Sequence, residues 1–495
     1  MTALATEDVA AGELEARCRA AVAQGGRMQF AYAWKPIEGE PTELRYIVCP
    51  PGGPLQIWRC RPERAEVPSL AAIAPLLSWY EREMTDLCGV RFIGTPQPEP
   101  LALLPGASLS APPLTTRGQP QLSYRAEPSA LPRLTGTDGA SVQLLPFGPI
   151  RADVLESAQF LFYYIGEAIL HYHPQLFLKH RGMEKRFQGV APDLGVVLAE
   201  RVSAVGGVAH ALGYCRAVEQ AAGCEVPLRA RWLRVLLAEL ERLYNHLHYL
   251  GHLCHTTTLK VGEAQGKFLE ELAKQLNGRL AGSRFLRGML RPGGLRREPV
   301  LDGLLAGLDR LQRDFEPYAR MLETSTTHLD RLITTGPLSQ QLAFDQGATG
   351  PIERASGLDR DPRRDLPYEA YEQLSFDVAV QSAGDAHARQ QVRIAEIGQS
   401  ISLIRQVVTG LPGGPIGVDC APAPNAEGMG WAETPRGCLY YAVHLDGQGR
   451  LERVKIKSPS FSNWRVFPFT VHDSNMMDYA INEASFGLTI AGCDR

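Results

Sequence analysis

The stretch that decides the fold is Glu-Arg-Val-Ser-Ala-Val-Gly-Gly-Val-Ala-His, residues 200–210. It lies within one of the most apolar windows of the chain, residues 195–214, but Glu200 and Arg201 interrupt that window, so it does not predict a membrane-spanning helix. Its Gly-Gly pair lacks the strand-Gly-x-Gly-x-x-Gly-helix context and indicates no nucleotide site. The stretch therefore predicts a turn, and the segments around it indicate the fold to which that turn belongs.

Downstream of this turn, residues 229–255 carry leucine at three- and four-residue spacing. The members of the repeat are Leu233, Leu236, Leu237, Leu240, Leu243, Leu247, Leu250 and Leu253. This spacing predicts one long helix with a wide apolar face, buried in a helical bundle. Similar patterns predict further helices and a small C-terminal sheet: helices at 267–279, 300–332 and 389–409, and strands at 438–445 and 454–456.

Upstream, residues 20–100 combine a helical opening with short extended runs. The runs lie at 28–34, 44–48 and 55–58, and a helical stretch follows at 69–84. This mixture predicts a small α+β domain. Residues 96–139 are rich in proline, serine, threonine and glycine, which predicts an extended linker. The fold class is therefore α+β, in three segments: an N-terminal α+β docking domain at 1–95, a linker at 96–141, and a mainly α-helical bundle domain with small β elements at 142–495.

Composition narrows the possible partners. A formal net charge of -3 gives no electrostatic reason to expect nucleic acid or an anionic membrane surface. The ten cysteines form no Cys-x-x-Cys pair, which argues against an iron-sulfur or zinc-ribbon module in this chain. Because the N-terminus has no basic region followed by an apolar run, we expect a cytoplasmic protein whose membrane association is through a partner.

Two sets of motifs resemble known families. Residues 79–90, Trp-Tyr-Glu-Arg-Glu-Met-Thr-Asp-Leu-Cys-Gly-Val, resemble the signature of a hydrophilic subunit of respiratory complex I, a domain that carries no cofactor and docks beside the large subunit. Five later stretches resemble the large subunits shared by complex I and the membrane-bound nickel-iron hydrogenases: 180–185 (His-Arg-Gly-Met-Glu-Lys), 200–210, 226–230 with 239–251, 350–371, and 433–437 with 457–461. The resemblance implies the nickel-iron hydrogenase large-subunit fold, fused to a second subunit.

The same resemblance implies where a nickel-iron centre would be held. In those hydrogenases two Cys-x-x-Cys pairs supply four thiolates, because soft sulfur ligands suit nickel and iron. Here the first pair's positions are Ser203 and Gly206, and alignment of the C-terminus places Thr489 and Gly492 at those of the second. Glycine offers no side chain and a hydroxyl is a poor nickel ligand. We therefore expect no metal site, as in the energy-converting (group 4) hydrogenase-related subunits without cysteines, and not a competent nickel-iron hydrogenase.

The emptied pocket is then a candidate site for a quinone, as the resemblance to complex I implies. Complex I places a histidine and a tyrosine against the quinone head group, but here those positions are Arg151 and Ala204. The proton-donating pair that quinone reduction uses is absent from them. The predicted cofactor-binding positions are the degenerate pocket residues Arg151, Ser203, Gly206, Thr489 and Gly492.

Charged residues remain at the implied site. Glu184 matches a proton-relay carboxylate of the hydrogenases, and Arg436 matches an arginine that overhangs the metal. A buried Glu-Arg arrangement passes protons or binds a small anion, or alternatively is an ion pair that holds two helices together. We predict proton uptake through Glu184, His210 and their neighbours, and assign catalytic roles to Glu184, His210 and Arg436.

Two further sets of residues each allow two interpretations. The first fits either an interface network beside a partner's iron-sulfur cluster or a solvated charged loop: Arg354, Asp359, Arg360, Asp361, Arg363, Arg364 and Asp365. In the second, His248, His252 and His255 fall on one helical face at a spacing that can hold zinc. Because the family has Asn-His at 245–246 on a buried helix, packing histidines are the favoured interpretation.

The resemblance implies a subunit of a membrane-associated, complex I-like oxidoreductase related to NADH dehydrogenase and to energy-converting hydrogenases. The chain alone would bind no cofactor. It would form an acceptor pocket with an iron-sulfur small subunit that carries a 4Fe-4S cluster, next to other hydrophilic subunits and ion-translocating membrane subunits. It would lie peripherally on the cytoplasmic membrane, without a nucleic-acid partner. Two alternatives stay open, a quinone-reducing NADH dehydrogenase-type subunit and a non-catalytic coupling scaffold.

Overall fold

The computed structural model describes residues 4–35, 41–104, 106–125, 141–151, 156–472 and 474–495. Much of the predicted linker, residues 126–140, lies outside the described residues. The described part of the linker pairs two short strands, and Lys185 of the later domain donates to the carbonyl oxygen of Thr116 at 2.7 Å. The described linker residues therefore contact both neighbouring segments.

The N-terminal segment is built on a four-stranded sheet, as its short extended runs predict. The strand order is β1-β4-β3-β2, with β1 parallel to β4 and the other pairs antiparallel. The elements are β1 Ala5–Asp8, α1 Leu14–Ala23, β2 Arg27–Trp34, β3 Glu43–Cys49, β4 Gln56–Cys60, β5 Glu66–Pro68, α2 Ser78–Cys88 and β6 Arg91–Ile93.

The helix predicted at 69–84 begins nine residues later than expected, at Ser78. The physical reason is the buried carboxylate of Glu81, which accepts from the Ser69 hydroxyl at 2.6 Å and from the Leu70 backbone N–H at 2.7 Å. These bonds hold residues 69–74 as a turn that folds back on the helix, and a proline at 75 then opens a short 3₁₀ turn before α2.

Helices dominate the second half of the chain, as the leucine repeat predicts. The predicted helix at 229–255 is α6, and all eight leucines of its repeat are at most 1% exposed, each contributing about 1.5–3 kcal/mol by burial. The helices up to residue 410 are α3 Met183–Arg186, α4 Pro192–Ala199, α5 Gly207–Ala222, α6 Leu228–Thr256, α7 Lys260–Ala281, α8 Leu304–Thr324, α9 Thr326–Leu332, α10 Gln340–Asp345, α11 Pro351–Ala355, α12 Pro362–Asp365 and α13 Ala386–Gly410.

Two details of the bundle follow from local sequence. Helices α6 and α7 cross closely at Gly251 and Gly266, where a β-carbon on Gly266 would lie 2.5 Å from the Cα of Gly251. The single helix predicted at 300–332 is broken into α8 and α9 at Ser325, whose backbone is extended there.

Four small sheets and three short helices complete the described part of the chain. The strands are β7 Ala107–Leu109, β8 Leu122–Tyr124, β9 Gln143–Phe147, β10 Gln159–Ile165, β11 Ala168–Gln175, β12 Leu290–Arg291, β13 Gly294–Leu295, β14 Glu427–Thr434, β15 Gly437–Leu445 and β16 Leu451–Lys457. The last helices are α14 Pro459–Val466, α15 Tyr479–Phe486 and α16 Ile490–Asp494. The antiparallel sheet β14-β15-β16 contains both predicted C-terminal strands and packs one face on α5.

Two large hydrophobic cores and one small cluster lie among the described residues. One lies in the helical bundle around α5, α6, α7, α8 and α13. The other joins the N-terminal sheet and α2 to β10, β11 and the C-terminal helices, with Phe30, Tyr80 and Phe461 among its members. Among the described residues no single helix has the length and apolar character to cross a membrane, although α4 and residues 204–222, bent by 116°, pass that test together.

Candidate active site

Two turns carry the four positions at which the related hydrogenases have thiolates. In the first, Ser203 precedes the single 3₁₀ turn Ala204–Gly206, and α5 begins directly after it. In the second, Thr489 caps α16, and its hydroxyl accepts from the Gly492 backbone N–H at 3.2 Å. Both turns therefore present their small residues at the N-terminus of a buried helix.

Arg181 brings the two turns together. Its Nη2 atom donates to the carbonyl oxygen of Val202 at 2.5 Å and to that of Ala491 at 2.9 Å. Its Nη1 atom donates to the carbonyl oxygen of Arg201 at 3.0 Å. One guanidinium thus bonds to the residue before Ser203 and to a residue between Thr489 and Gly492. The structure therefore places these four predicted pocket positions around one site.

Arg436 makes a second bridge between the turns. Its Nε atom donates to the Gly487 carbonyl at 2.6 Å, just before the second turn. Its Nη1 atom donates to the side-chain oxygen of Asn245 at 2.9 Å, and the Asn245 amide donates in turn to the Val205 carbonyl in the first turn. Burial, and then repulsion from Arg393, lowers the pKa of Arg436 to about 10, which leaves it charged at neutral pH.

Both bridging guanidiniums bond to neutral oxygen atoms. Among the described residues, no carboxylate lies within 4.0 Å of the charged nitrogens of Arg181 or Arg436. The nearby Glu156 carboxylate is already bonded to the backbone N–H groups of Ile490 at 2.6 Å and Ala491 at 3.1 Å, where it caps α16. The site therefore keeps two cations that no carboxylate contacts directly.

The four ligand positions do not fit a nickel-iron centre. A β-carbon on Gly492 would lie 2.5 Å from the Thr489 hydroxyl, so the capping bond already fills that space. The Thr489 hydroxyl is also 3.2 Å from that of Ser460, and Ser203 supplies only an oxygen donor. Among the described residues, no group of three or more histidine, cysteine, aspartate or glutamate side chains is placed to hold a metal ion.

A buried histidine and tyrosine lie beneath the first turn. A β-carbon on Gly206 would be 3.4 Å from Cδ2 and 4.0 Å from Nε2 of His210, so this edge of the imidazole faces the turn. The other nitrogen, Nδ1, is 2.8 Å from the Tyr441 hydroxyl. Burial lowers the pKa of His210 to about 3, and burial together with the charge of Glu184 raises the pKa of Tyr441 well above its ordinary value. Both groups are therefore neutral at pH 7.

The helix that carries His210 starts on a buried carboxylate. Glu241 accepts from the backbone N–H groups of Val208 at 2.7 Å and Ala209 at 3.0 Å. Burial raises the pKa of Glu241 to about 7, against the opposing effect of those two hydrogen bonds and of Arg436. The N-terminus of α5 is thus held by a group that titrates near neutral pH.

Arg151, the remaining predicted pocket residue, is occupied by other contacts. It makes a two-pronged ion pair with Glu483 of α15, at 2.8 and 3.1 Å. Its guanidinium also lies over the rings of Phe147 and Phe160, at 4.7 and 4.9 Å from their centroids. These contacts join β9 and β10 to the C-terminal helices, which is a structural arrangement.

Glu184 lies in a buried ion network rather than beside Arg436. Its carboxylate is 2.6 Å from Arg453, 3.2 Å from Arg495 and 3.3 Å from Lys455. Burial opposes ionisation of Glu184, but the charges of Lys455, Arg453 and Arg495 outweigh it and hold its pKa well below the usual range. Glu83 of α2 completes the network, bonding to both Arg495 and Lys455.

The charged residues near 354–365 divide into two groups. Arg354, Asp361 and Arg363 are fully buried and pair with opposite charges inside the domain: Asp361 lies 2.7 Å from Arg363, and Glu396 lies 2.8 Å from Arg354. Their network excludes the solvated-loop interpretation for these three. The others are partly or largely exposed: Asp359, Arg360, Arg364 and Asp365.

The histidines of α6 also fall into two groups, one buried and one exposed. His246 is buried and lies 2.8 Å from Glu396, as a packing histidine would. His248, His252 and His255 instead form an exposed row of stacked rings, with centroids 6.3 and 6.2 Å apart. Glu270 contacts His248 at 3.0 Å and Glu263 contacts His255 at 3.1 Å, so the packing interpretation is wrong for this row.

Comparisons with known proteins agree with this geometry. The family model of the 49 kDa subunit of respiratory-chain NADH dehydrogenase matches residues 269–423 and 418–495, and that of nickel-dependent hydrogenase matches 181–277. The model of the 30 kDa subunit of the same dehydrogenase matches 42–118, which extends beyond the predicted docking domain into the predicted linker.

Individual relatives cover most of the chain. A D-type subunit of the NADH-quinone oxidoreductase of Solibacter usitatus is 30% identical, over 76% of this chain and 98% of its own. The fused C/D-type subunit of the Acidiphilium cryptum enzyme is 29% identical, over 87% and 81%, and formate hydrogenlyase subunit 5 of Escherichia coli is 29% identical, over 84% and 74%. A chain in the structure of the membrane-bound sulfane sulfur reductase, an archaeal respiratory membrane complex, aligns with a TM-score of 0.68 and 26% identity over 72% of this chain and 98% of its own.

The helical bundle and the paired turns define the class of large subunits that includes nickel-dependent hydrogenases. Within it, the chain belongs to the family of the 49 kDa subunit of respiratory-chain NADH dehydrogenase, fused to a segment of the 30 kDa type. The sequence-based recognition of this family and of an α+β fold is confirmed.

Several site residues were not predicted from the sequence. Arg181 was part of a recognised motif, and that membership was the signal that could have identified it. Tyr441, Ser460 and Glu156 lie far from the turns in sequence and become neighbours only through the β14-β15-β16 sheet and the caps of α16. No local pattern marks them.

Proposed function

We propose that this chain is the large subunit of a membrane-associated, complex I-like oxidoreductase and forms an electron-acceptor pocket without a nickel-iron centre. One observation carries the proposal: Arg181 and Arg436 tie together two turns whose ligand positions hold only serine, threonine and glycine. The retained frame supports a working site, and the missing thiolates support a change of substrate.

The charge of the pocket favours an anionic or strongly polarised acceptor. Arg181 and Arg436 bond to carbonyl and amide oxygens, so their positive charge is not cancelled by a contacting carboxylate. In a poorly hydrated site, fixed cations stabilise negative charge that develops as electrons arrive. An acceptor reduced by two electrons gains such charge before protons reach it.

The His210–Tyr441 pair would relay solvent protons to the acceptor: as Nε2 gives up its proton, Nδ1 takes the Tyr441 proton, which water then replaces. When the Tyr441 hydroxyl donates to Nδ1, the proton of the neutral imidazole is on Nε2, which faces the turn at Gly206. The neutral ring is then a hydrogen-bond donor to a bound acceptor. Glu184 is kept ionised by three cations, so it holds no proton to transfer at neutral pH, and its charge favours the protonated form of Tyr441.

A quinone is one candidate acceptor, because relatives of this chain are subunits of NADH-quinone oxidoreductases. The observation in its favour is the His210–Tyr441 pair, which offers a histidine and a tyrosine at positions different from those of the complex I pair. Two electrons and two protons would convert the quinone into a quinol.

An anionic sulfane-sulfur compound is the second candidate. The relative of known structure is part of a sulfane sulfur reductase. The guanidiniums of Arg181 and Arg436, which bond to neutral oxygens, fit a polysulfide anion better than a neutral quinone. Two electrons and two protons would convert one sulfur–sulfur bond into two thiols.

The proposed partners follow from the family. An iron-sulfur small subunit would supply electrons from a 4Fe-4S cluster to the pocket, and ion-translocating membrane subunits would bind the assembly to the cytoplasmic face of the membrane. Other hydrophilic subunits would complete it. A non-catalytic coupling scaffold is the alternative, in which the pocket would transmit conformational change without redox chemistry.

The test uses the intact complex with Arg181→Gln. Reduction of a short-chain ubiquinone and of inorganic tetrasulfide, a polysulfide anion, would be measured separately, together with the unfolding midpoint. For the true acceptor we expect kcat/KM to fall by about tenfold to a hundredfold, because a charge-assisted contact is lost. The midpoint should fall only modestly, because the shorter glutamine amide can still donate to one of the three backbone carbonyls that Arg181 contacts.

Arg201→Gln is the matched control. Arg201 is in the same stretch, but its side chain is 54% exposed and points away from the second turn, so turnover should be unchanged. Unaltered turnover in the Arg181 variant would support the scaffold alternative. Stoichiometric nickel in the purified, active complex would overturn the proposal itself.

A further inference from the structure

A large cavity among the described residues shares no lining residue with the two turns. It has a volume of about 1080 Å³ and is lined by both halves of the chain. On one side is the loop Cys49-Pro50-Pro51-Gly52-Gly53-Pro54-Leu55 of the N-terminal segment, and on the other are residues 347–372 and the sheet β14-β15-β16. A cavity of this size holds a small organic molecule.

A buried lysine defines one end of the cavity. Lys457 is 3% exposed, and its ammonium donates to the Cys438 carbonyl at 2.9 Å. Among the described residues no carboxylate lies within 4.0 Å of that ammonium. A buried cation without a contacting anion is unfavourable by several kcal/mol, and burial accordingly lowers the pKa of Lys457.

Two arginines line the same end and share one carboxylate. Glu353 is 3.0 Å from Arg27 and 3.8 Å from Arg360, and it also accepts from the Gly350 backbone N–H. Arg27 is 5% exposed and fixed by a second bond to the Ala348 carbonyl, whereas the Arg360 side chain is 30% exposed at the mouth. Asp365 also lines the cavity but is paired with Arg364 at 2.7 Å, so the three cations face one acidic group, Glu353, and this end is positive.

The opposite end is balanced. Arg216 is 3.6 Å from Glu369 and lies between the rings of Tyr368 and Trp431, at 4.9 and 4.6 Å from their centroids. Glu219, which also lines this end, is paired with Arg234. Glu372 is paired with Arg231, and the exposed Glu225 adds a negative charge at the edge. The cavity therefore combines a cationic end with an aromatic end whose buried charges are paired.

We propose that this cavity binds a small organic molecule with at least two oxyanion charges, a phosphate ester or a polycarboxylate, whose anionic group contacts Lys457 and Arg360. The anion would supply the contacting counter-charge that Lys457 lacks among the described residues. Because the lining comes from both halves of the fused chain, the bound molecule would also hold the N-terminal segment on the large domain. This site is independent of the acceptor pocket.

The test is calorimetric titration of the intact complex with inorganic pyrophosphate and, separately, with citrate. We expect one of the two to bind in the micromolar to low millimolar range, and the better probe indicates whether the natural ligand carries phosphate or carboxylate. Lys457→Gln should weaken that binding by at least about tenfold, since a charge-assisted contact is removed.

Lys267→Gln is the matched control, because Lys267 lies on the exposed side of α7 and pairs with Glu263 at 2.6 Å. It should leave the titration unchanged. Arg360→Gln is the second variant if Lys457→Gln does not fold, and it should also weaken binding. Absence of binding by both probes, or equal affinity in the Lys457 and Arg360 variants and the unaltered complex, would overturn the proposal.

Discussion

The two turns of the acceptor pocket and the ion network of Glu184 handle buried charge in opposite ways. In the network, the carboxylates of Glu83 and Glu184 meet the cations of Arg453, Lys455 and Arg495 directly. In the pocket, the bridging guanidiniums bond to carbonyl and amide oxygens instead. Charges that are paired within the chain stabilise a fixed structure. Cations without a contacting anion are instead available to bind an acceptor that enters and leaves the pocket.

The difference changes the functional interpretation of Glu184. A proton relay must exchange protons near the working pH, but the surrounding cations keep this carboxylate ionised. Its network also joins α2 of the N-terminal segment to the strand β16 and the C-terminal residues. We therefore expect Glu184 to matter mainly for stability, and the pocket residues to matter mainly for turnover.

The largest expected effect is on stability, from Glu184→Gln. The substitution leaves Arg453 and Lys455 buried with one carboxylate fewer and brings an amide NH₂ group against them. We expect the free energy of unfolding to fall by about 3–5 kcal/mol, the usual result of breaking a buried ion pair from one side. Chemical unfolding of the purified protein would measure it.

Glu66→Gln is the control, because Glu66 pairs with Arg91 where both side chains are exposed, by 39% and 74%. Its loss should change stability by less than about 1 kcal/mol. The folded-state pKa of Glu184 is depressed, so its contribution is present above pH 4.5 and is lost as the pH falls toward the folded pKa. An equal effect of the two variants would contradict the distinction between network and surface pair.

Much of the fold could be predicted because it depends on local periodicity. The leucine spacing located α6 to within a residue at each end, and the alternating runs located β2 and β3 similarly. The start of α2 could not be predicted, because it depends on a tertiary bond between the Glu81 carboxylate and residues 69–70. Helix propensities of single residues do not reveal such a tertiary bond.

The candidate site could be predicted from the sequence only in part. The motif frames placed Ser203, Gly206, Thr489 and Gly492, and the structure brings their two turns together through Arg181. The partners of Glu184 were not predictable, because Arg453, Lys455 and Arg495 approach it from another strand and from the C-terminal residues. The packing of the chain decides which charged side chains pair with each other. The sequence shows only which charged residues are available.

Alanine substitutions at the two glycines of the pocket should have different effects on stability, of intermediate size. Gly492→Ala places a β-carbon 2.5 Å from the Thr489 hydroxyl, whereas Gly206→Ala places one in ordinary contact, 3.4 Å from the His210 ring. We expect Gly492→Ala to lower the free energy of unfolding by about 1–3 kcal/mol through overpacking. Gly206→Ala should leave stability nearly unchanged while lowering turnover, because the methyl group covers the ring edge that faces the acceptor.

A double variant sharpens this comparison. Thr489→Ala removes the hydroxyl that clashes, at the expense of the α16 cap, which is worth about 1 kcal/mol. Thr489→Ala with Gly492→Ala should therefore be more stable than the sum of the two single changes predicts, and a double-mutant cycle measures that coupling. Simple additivity would mean that the second turn is looser than its hydrogen bonds indicate.

The smallest effect concerns Glu241, a carboxylate on the pocket side that is held by backbone N–H groups. Its folded pKa is raised to about 7 from an ordinary 4.5, so between these values the folded protein binds more protons than the unfolded chain. Stability should therefore fall as the pH rises through this window, by up to about 1 kcal/mol per pH unit from this group. Glu241→Gln keeps an acceptor for α5 but cannot titrate, so its unfolding free energy, measured at pH 5 and pH 7, should fall less over that interval than that of the unaltered protein. Identical slopes would show that Glu241 is ionised throughout, and the pocket side would then hold its anions as firmly as the Glu184 network does.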